Sequence, residues 1–265
     1  MEIVKIFGSS VSAGYQERLI LDSIDVAIPA RRITTIIGPN GCGKSTLLRT
    51  LARLLPLRSG TLTLDGADMY AFRRRDLARR ISLLPQAPLA PPGVTVADLV
   101  SRGRHPHQNW LQQWSAQDER EVAAALDMAG VADLAGLRVD SLSGGQRQRV
   151  WISMVLAQQT DVLFLDEPTT YLDLAAATEI LNLVARLNRE LERTIVLVLH
   201  DLNLAARYSD HLIVMREGAL VSSGTPAQVI TTKLLEEVFG LRAVIITDPV
   251  TGGPLIVPSD LPASR

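Results

Sequence analysis

The chain has 265 residues, 47% of them hydrophobic and 21% charged, with a formal net charge of −1. That balance fits a globular protein with ample core material and gives no whole-chain electrostatic case for nucleic-acid binding. A single cysteine rules out an intramolecular disulfide framework, and no run approaches the roughly 18 consecutive apolar residues of a membrane-spanning helix. The start, Met1-Glu2-Ile3-Val4-Lys5, lacks the pattern of a secretory signal. Any action on a membrane is therefore expected to run through a partner.

Apolar residues alternate at Leu19, Leu21, Ile24, Val26 and Ile28, interrupted by Asp22-Ser23, and predict antiparallel strands. Ile33–Ile37 is a β-branched run that leads into a glycine-rich loop, and Leu47–Leu55 then reads as a helix ended near Pro56. Further buried strands are expected at Ile81–Leu84, Val162–Leu165 and Thr194–Leu199, because continuous apolar runs suit a sheet covered on both faces. Pro88, Pro91, Pro92 and Gly93 form a breaker-rich link before helical patterns. One of those helices has Ser115 and Asp118 spaced as a capping box and Gly130 at its end. Leu174–Leu191 is another helix, Pro226–Phe239 a further one, and the tail turns back at Asp248-Pro249 and Gly252-Gly253-Pro254 as a hairpin.

The expected fold class is α/β, a P-loop core with a mainly parallel sheet, an N-terminal antiparallel β subdomain and an inserted helical subdomain. The chain reads as one domain, residues 1–265. Its α/β core takes residues 1–85 and 161–235, its helical subdomain 86–160 and its C-terminal extension 236–265.

Three segments carry chemistry. Gly38-Pro39-Asn40-Gly41-Cys42-Gly43-Lys44-Ser45-Thr46 matches G-x-x-x-x-G-K-[ST] between a strand and a helix. Its glycines let the backbone approach phosphate oxygens, Lys44 suits the β/γ-phosphates, the Ser45 hydroxyl suits Mg²⁺, and Thr46 an inner phosphate. Val162–Leu165 ends in Asp166-Glu167, two carboxylates whose burial is costly without a metal or hydrogen bonds. Leu142-Ser143-Gly144-Gly145-Gln146 opens a helix from Gly145 to about Gln158, a second helix N-terminus suited to phosphate. Cys42 reads as a small filler without a redox task.

The phosphate loop, the Leu142–Gln146 motif and Asp166-Glu167, in this order, resemble the ATP-binding-cassette (ABC) ATPases. The likeness covers nearly the whole chain. Arg102-Gly103-Arg104-His105-Pro106-His107-Gln108, Ser143-Gly144-Gly145-Gln146-Arg147-Gln148-Arg149 and Leu199-His200-Asp201-Leu202-Asn203 tie it most to the ATPase subunits of ferric-siderophore importers, with the ending Asp248-Pro249-Val250 in support.

The resemblance implies ATP and Mg²⁺ as cofactors and a head-to-tail homodimer. Two ATPs would be sandwiched there, each phosphate loop facing Ser143, Gly144, Gly145 and Gln146 of the other chain. It implies Glu167 as general base, His200 as γ-phosphate and water contact, and Asp166 beside Ser45 and Gln86 at Mg²⁺. Gln86 would also link the ion and the water to integral-membrane permease subunits. Tyr15 would stack on adenine, and Asp173 would lie in the loop joining the two active sites. A substrate-binding protein would be an indirect partner, no nucleic acid is expected, and the location would be peripheral, on the cytoplasmic face of the membrane. Cobalamin or haem importers share these motifs, and a non-transport ABC ATPase or an exporter subunit is the alternative of another class. The loop at His105 and His107, with Trp110 and Trp114 as anchors, is expected to grip the permease rather than bind metal. Arg73-Arg74-Arg75 with Arg79-Arg80 reads as a solvated face.

Overall fold

Strands and helices alternate along the chain, as the apolar runs predict. The computed structural model describes residues 3–108 and 114–259. Its first half runs β1 (Val4–Tyr15), β2 (Arg18–Pro29), β3 (Ile33–Ile37), α1 (Lys44–Leu51), β4 (Ser59–Leu64), β5 (Ala67–Asp68), α2 (Arg74–Ala78), β6 (Ile81–Leu84), α3 (Val96–Ser101) and α4 (Ala116–Ala129). Then follow α5 (Gly144–Ala157), β7 (Val162–Asp166), α6 (Leu174–Leu191), β8 (Thr194–Val198), α7 (Leu202–Tyr208), β9 (His211–Arg216) and β10 (Ala219–Gly224). The chain closes with α8 (Pro226–Val229), α9 (Thr232–Phe239), β11 (Ala243–Thr247) and β12 (Pro254–Pro258).

Two compact units result, one made of the chain up to Tyr70 and from Thr194 onward, the other of Ala71–Arg193. In the first, β2, β1, β4 and β5 form an antiparallel sheet in that order. The interruption at Asp22-Ser23 is absorbed inside β2. Ser23 takes φ 49°, its N–H donates to Ser12 Oγ at 2.9 Å, and the pairing with β1 shifts register there. β3 lies between β8 and β9 and is parallel to both, and every residue of β3 and β8 is buried. α1 covers this layer with fully buried Leu47, Leu48 and Leu51. The tail hairpin pairs Ala243 with Pro258 through Thr247 with Pro254. Asn203 fixes it to α7, accepting from the Ile256 N–H at 2.8 Å and donating to its carbonyl at 3.1 Å.

In the second unit β6 and β7 are parallel, from Ile81 opposite Val162 to Leu84 opposite Leu165. The expected capping box opens α4: the Asp118 N–H donates to Ser115 Oγ and the Ser115 N–H to Asp118 Oδ2. Gly130 ends it at φ 66°, a conformation glycine adopts without a Cβ penalty.

Two expectations need correction. The first helix starts at Lys44 and stops at Leu51, because Arg53 turns left-handed (φ 56°) and the N–H groups of Leu54 and Leu55 both fold back to the Arg49 carbonyl. The single helix expected over Pro226–Phe239 is two. Ile230 is extended between them, and Thr231 caps the second by accepting from the Leu234 N–H.

The arginine run is a solvated face, with Arg73, Arg74, Arg75 and Arg79 exposed, and part of it is also tied down. Arg80 pairs with Asp161 at 3.5 Å and lies over the Phe72 ring, while Arg75 and Arg79 bond the Pro106 carbonyl. The loop holding that carbonyl is itself anchored, with Gly103 and Arg104 buried and His107 Nε2 2.8 Å from the Gln158 carbonyl.

Candidate functional site

In the first unit the fully buried β3 ends at Ile37 and delivers the chain into the phosphate loop. Gly38 has φ 155°, and a Cβ there would meet the Met215 carbonyl at 2.2 Å and Cys42 Sγ at 2.7 Å. Only glycine fits. Gly41 (φ 75°) and Gly43 (φ 105°) complete the turn, and α1 starts at Lys44 with no side-chain cap, a helix N-terminus suited to an anion. Lys44 is 5% exposed, and its Nζ donates to the carbonyls of Gly38 and Pro39, each at 2.9 Å. The ammonium is thus held on the loop it serves. Ser45 is half-buried and Thr46 buried.

Burial pushes the Cys42 thiol pKa up, with the Lys44 charge and N–H acting in the opposite sense. The side chain is buried. β8 runs beside β3, and the Leu199 N–H reaches the Ile36 carbonyl at 3.4 Å. His200 therefore leaves the same carboxyl edge as the phosphate loop, and it is exposed. Ligands of open α/β sheets bind at that edge. Tyr15 ends β1, is 43% exposed, and accepts from Arg49 Nη1 at 3.4 Å.

In the second unit β6 and β7 end together. Asp166 closes β7 at 1% exposure, and Glu167 follows half-buried with φ 53°, a left-handed backbone that is rare outside glycine and gathers at functional sites. Gln86 Nε2 donates to Glu167 Oε2 at 2.5 Å, joining two residues 81 apart in the chain. Thr170 Oγ1 donates to the same oxygen at 3.0 Å. Sequence reasoning passed over Thr170. Its one signal is the turn after Pro168, where a hydroxyl three residues on can reach back to the carboxylate.

Ser143 is the N-cap of α5, in a capping box with Gln146: the Gln146 N–H donates to Ser143 Oγ at 3.3 Å and the Ser143 N–H to Gln146 Oε1 at 3.1 Å. The helix begins at Gly144, one residue before the expected start. A Cβ on Gly144 would touch Leu172 and one on Gly145 would touch Ala176, each at 3.5 Å, so this N-terminus lies against the start of α6. Asp173 caps α6, accepting from the Ala176 N–H at 2.8 Å. Ser143, Gly145, Gln146, Arg149, Tyr171 and Asp173 line a cavity of about 480 Å³, whose wall is braced by Arg149 on Glu179. Ser143 through Gln146 and Asp173 are thus brought together, and so are Gln86 and Glu167.

The model of the family described as "ABC transporter" matches residues 21–170, more than half of the chain. The chain belongs to the ABC transporter family. As an ABC ATPase it binds and hydrolyses ATP. It is 48% identical over 256 residues to the ferric enterobactin transport ATP-binding protein FepC of Escherichia coli (strain K12), covering 97% of this chain and 94% of that protein. It is 47% identical over 248 residues to the iron(3+)-hydroxamate import ATP-binding protein FhuC of Bacillus subtilis (strain 168), covering 94% and 92%.

Among solved structures, cbiO1 of Clostridium perfringens, part of the ABC transporter complex cbiONQ, superposes with a TM-score of 0.77 at 30% identity, covering 88% of this chain and 93% of that one. The dimeric structure of the ABC transporter cassette MJ0796 gives 0.73 at 26% identity, covering 83% and 98%. Among the described residues no helix is long and apolar enough to cross a membrane.

Proposed function

We propose that this ABC ATPase energises the import of ferric siderophores, working as a head-to-tail homodimer on integral-membrane permease subunits at the cytoplasmic face of the membrane. The observation that carries the cargo class is the 48% and 47% identity, over nearly the whole chain, to two proteins named for ferric enterobactin transport and iron(3+)-hydroxamate import. The dimer is supported by the dimeric cassette MJ0796 and by the chain's two separate phosphate-suited helix N-termini. A substrate-binding protein would deliver cargo to the permease and never meet this chain. Trp114, 47% exposed, is a candidate anchor for the permease; Trp110 lies outside the described residues.

In this reading Gly38 to Thr46 hold the triphosphate of one ATP through backbone N–H groups and Lys44. The exposed Ser143 hydroxyl and the α5 N-terminus meet the γ-phosphate held by the partner chain. Mg²⁺ fits the donors present. Ser45 and the buried Asp166 are hard oxygen ligands, and an ion that keeps waters and phosphate oxygens needs few side chains. When bound it neutralises charge on the β- and γ-phosphates. Glu167 takes the proton of the attacking water, oriented by Gln86 and Thr170, with His200 on the γ-phosphate. Gln86 opens the breaker-rich loop through which the change reaches the permease. Closure with ATP and opening after phosphate release then form a two-state cycle.

The test is uptake of labelled ferric siderophore in cells carrying the native chain or Lys44→Ala, with labelled cobalamin and haem alongside. Loss of siderophore uptake alone is the expected result. Loss of only cobalamin or haem uptake would reassign the cargo, and no change in any, with the chain expressed, would overturn all three cargoes and point to another cargo or to the non-transport ATPase.

A further inference from the structure

Residues 73–80 hold five arginines, and the structure gathers two of them on one atom. Arg75 Nε and Arg79 Nε both donate to the Pro106 carbonyl, each at 2.9 Å. Their Nε atoms therefore lie within about 6 Å of each other, which crowds two like-charged groups that repel. Each contact uses a single donor. The terminal Nη atoms of both forks have no partner among the described residues, and neither do the exposed side chains of Arg73, Arg74 and Arg102. The one carboxylate of α2, Asp76, forms no ion pair with them among the described residues.

The carbonyl that holds the pair is itself fixed from behind. Arg104, 2% exposed, donates from Nε to Asp118 at 2.8 Å and from Nη1 to the Ala157 carbonyl at 2.7 Å and Gln159 Oε1 at 2.8 Å. His107 closes the other side on the Gln158 carbonyl. The two exposed forks are thus placed by a buried scaffold.

We propose that this face binds the phosphates of anionic phospholipid headgroups. Paired guanidinium forks match phosphate oxygens bidentately, and a phosphate would relieve their repulsion. A protein partner would call for a desolvated apolar centre; from Ala71 to Gln108 the one large apolar side chain exposed is Leu89, and the exposed Trp114 is the candidate permease anchor already named. A headgroup layer needs only clustered charge. The net charge of −1 supplies no attraction from the chain as a whole, so binding falls to this face. The inference rests on the membrane-seated reading above.

Its test is co-sedimentation of the purified chain with phosphatidylcholine vesicles, with and without phosphatidylglycerol, at low and physiological salt. The native chain should bind only the phosphatidylglycerol vesicles, less so as salt rises. Arg75→Gln with Arg79→Gln should lower that partitioning about tenfold. Arg18→Gln with Arg189→Gln, which removes the same charge from other exposed positions, should leave it within about twofold. Melting curves check that both variants fold. Equal binding to both vesicle types, binding to neither, or equal loss in the two double variants overturns the proposal. No permease is in the assay, so its failure leaves the importer reading standing, and a failed uptake assay leaves the vesicle result standing.

Discussion

The N-termini of α1 and α5 are both suited to phosphate and are built in opposite ways. α1 has no side-chain cap, follows three glycines at positive φ, and keeps its lysine buried against the loop's own carbonyls. α5 is exposed and satisfied by Ser143 and Gln146 bonding each other's N–H groups. The first stores its anion affinity in backbone shape, which only glycine permits. The second stores it in a side-chain arrangement that stands without any ligand. In the proposed dimer the first would hold ATP and the second would recognise that ATP is there.

Substitutions can separate holding from chemistry and from recognition. The largest effect is expected at Glu167→Gln, which should cut turnover roughly 10²–10⁴-fold while leaving ATP binding intact. Single-turnover hydrolysis beside a nucleotide-binding titration checks it, and normal turnover would remove the glutamate from its role. Lys44→Ala should weaken nucleotide affinity about a hundredfold through loss of charge-assisted contacts, read by equilibrium titration. Gly38→Ala should destabilise the fold by about 3 kcal/mol or more, since a Cβ must displace the Met215 carbonyl, and denaturant unfolding reports it. Ser143→Ala should cost only about 1 kcal/mol of stability, the worth of a cap, yet reduce hydrolysis far more than nucleotide affinity. If it lowered affinity as much as Lys44→Ala, the distinction between holder and reader would fail.

The smallest effect is in acid. Burial raises the Asp118 pKa, but hydrogen bonds from Arg104 and Ser115 outweigh it and leave the carboxyl below its ordinary value. A depressed folded pKa gives stability that is present above the unfolded value of about 3.9 and lost as pH falls through the folded one. Unfolding midpoints should therefore drop below about pH 4, and Asp118→Asn should flatten that part of the slope.

Much of this was legible because it is local. Strand β6 and helix α6 appear at the residues their apolar patterns predict, and the capping box of α4 announces itself by a three-residue spacing. What stayed hidden depends on distant chain. No local pattern tells that Gln86 meets Glu167, that Arg104 meets Asp118 beneath a loop that looks solvated, or that Arg75 and Arg79 converge on Pro106. The early end of α1 turns on one left-handed residue, Arg53, whose type gives no hint of it. Thr170 escaped notice because its partner is a side chain and not a motif position.

Cys42 makes the phosphate loop report on its own breathing. A thiol that is 5% exposed, with its pKa pushed up, offers little thiolate to an oxidant or alkylating agent while the loop is closed. Labelling must then wait for an opening that exposes the sulfur, so its rate measures how often the loop loosens. Nucleotide should slow that clock by holding the loop shut, turning one filler atom into a timer for the first step of the cycle.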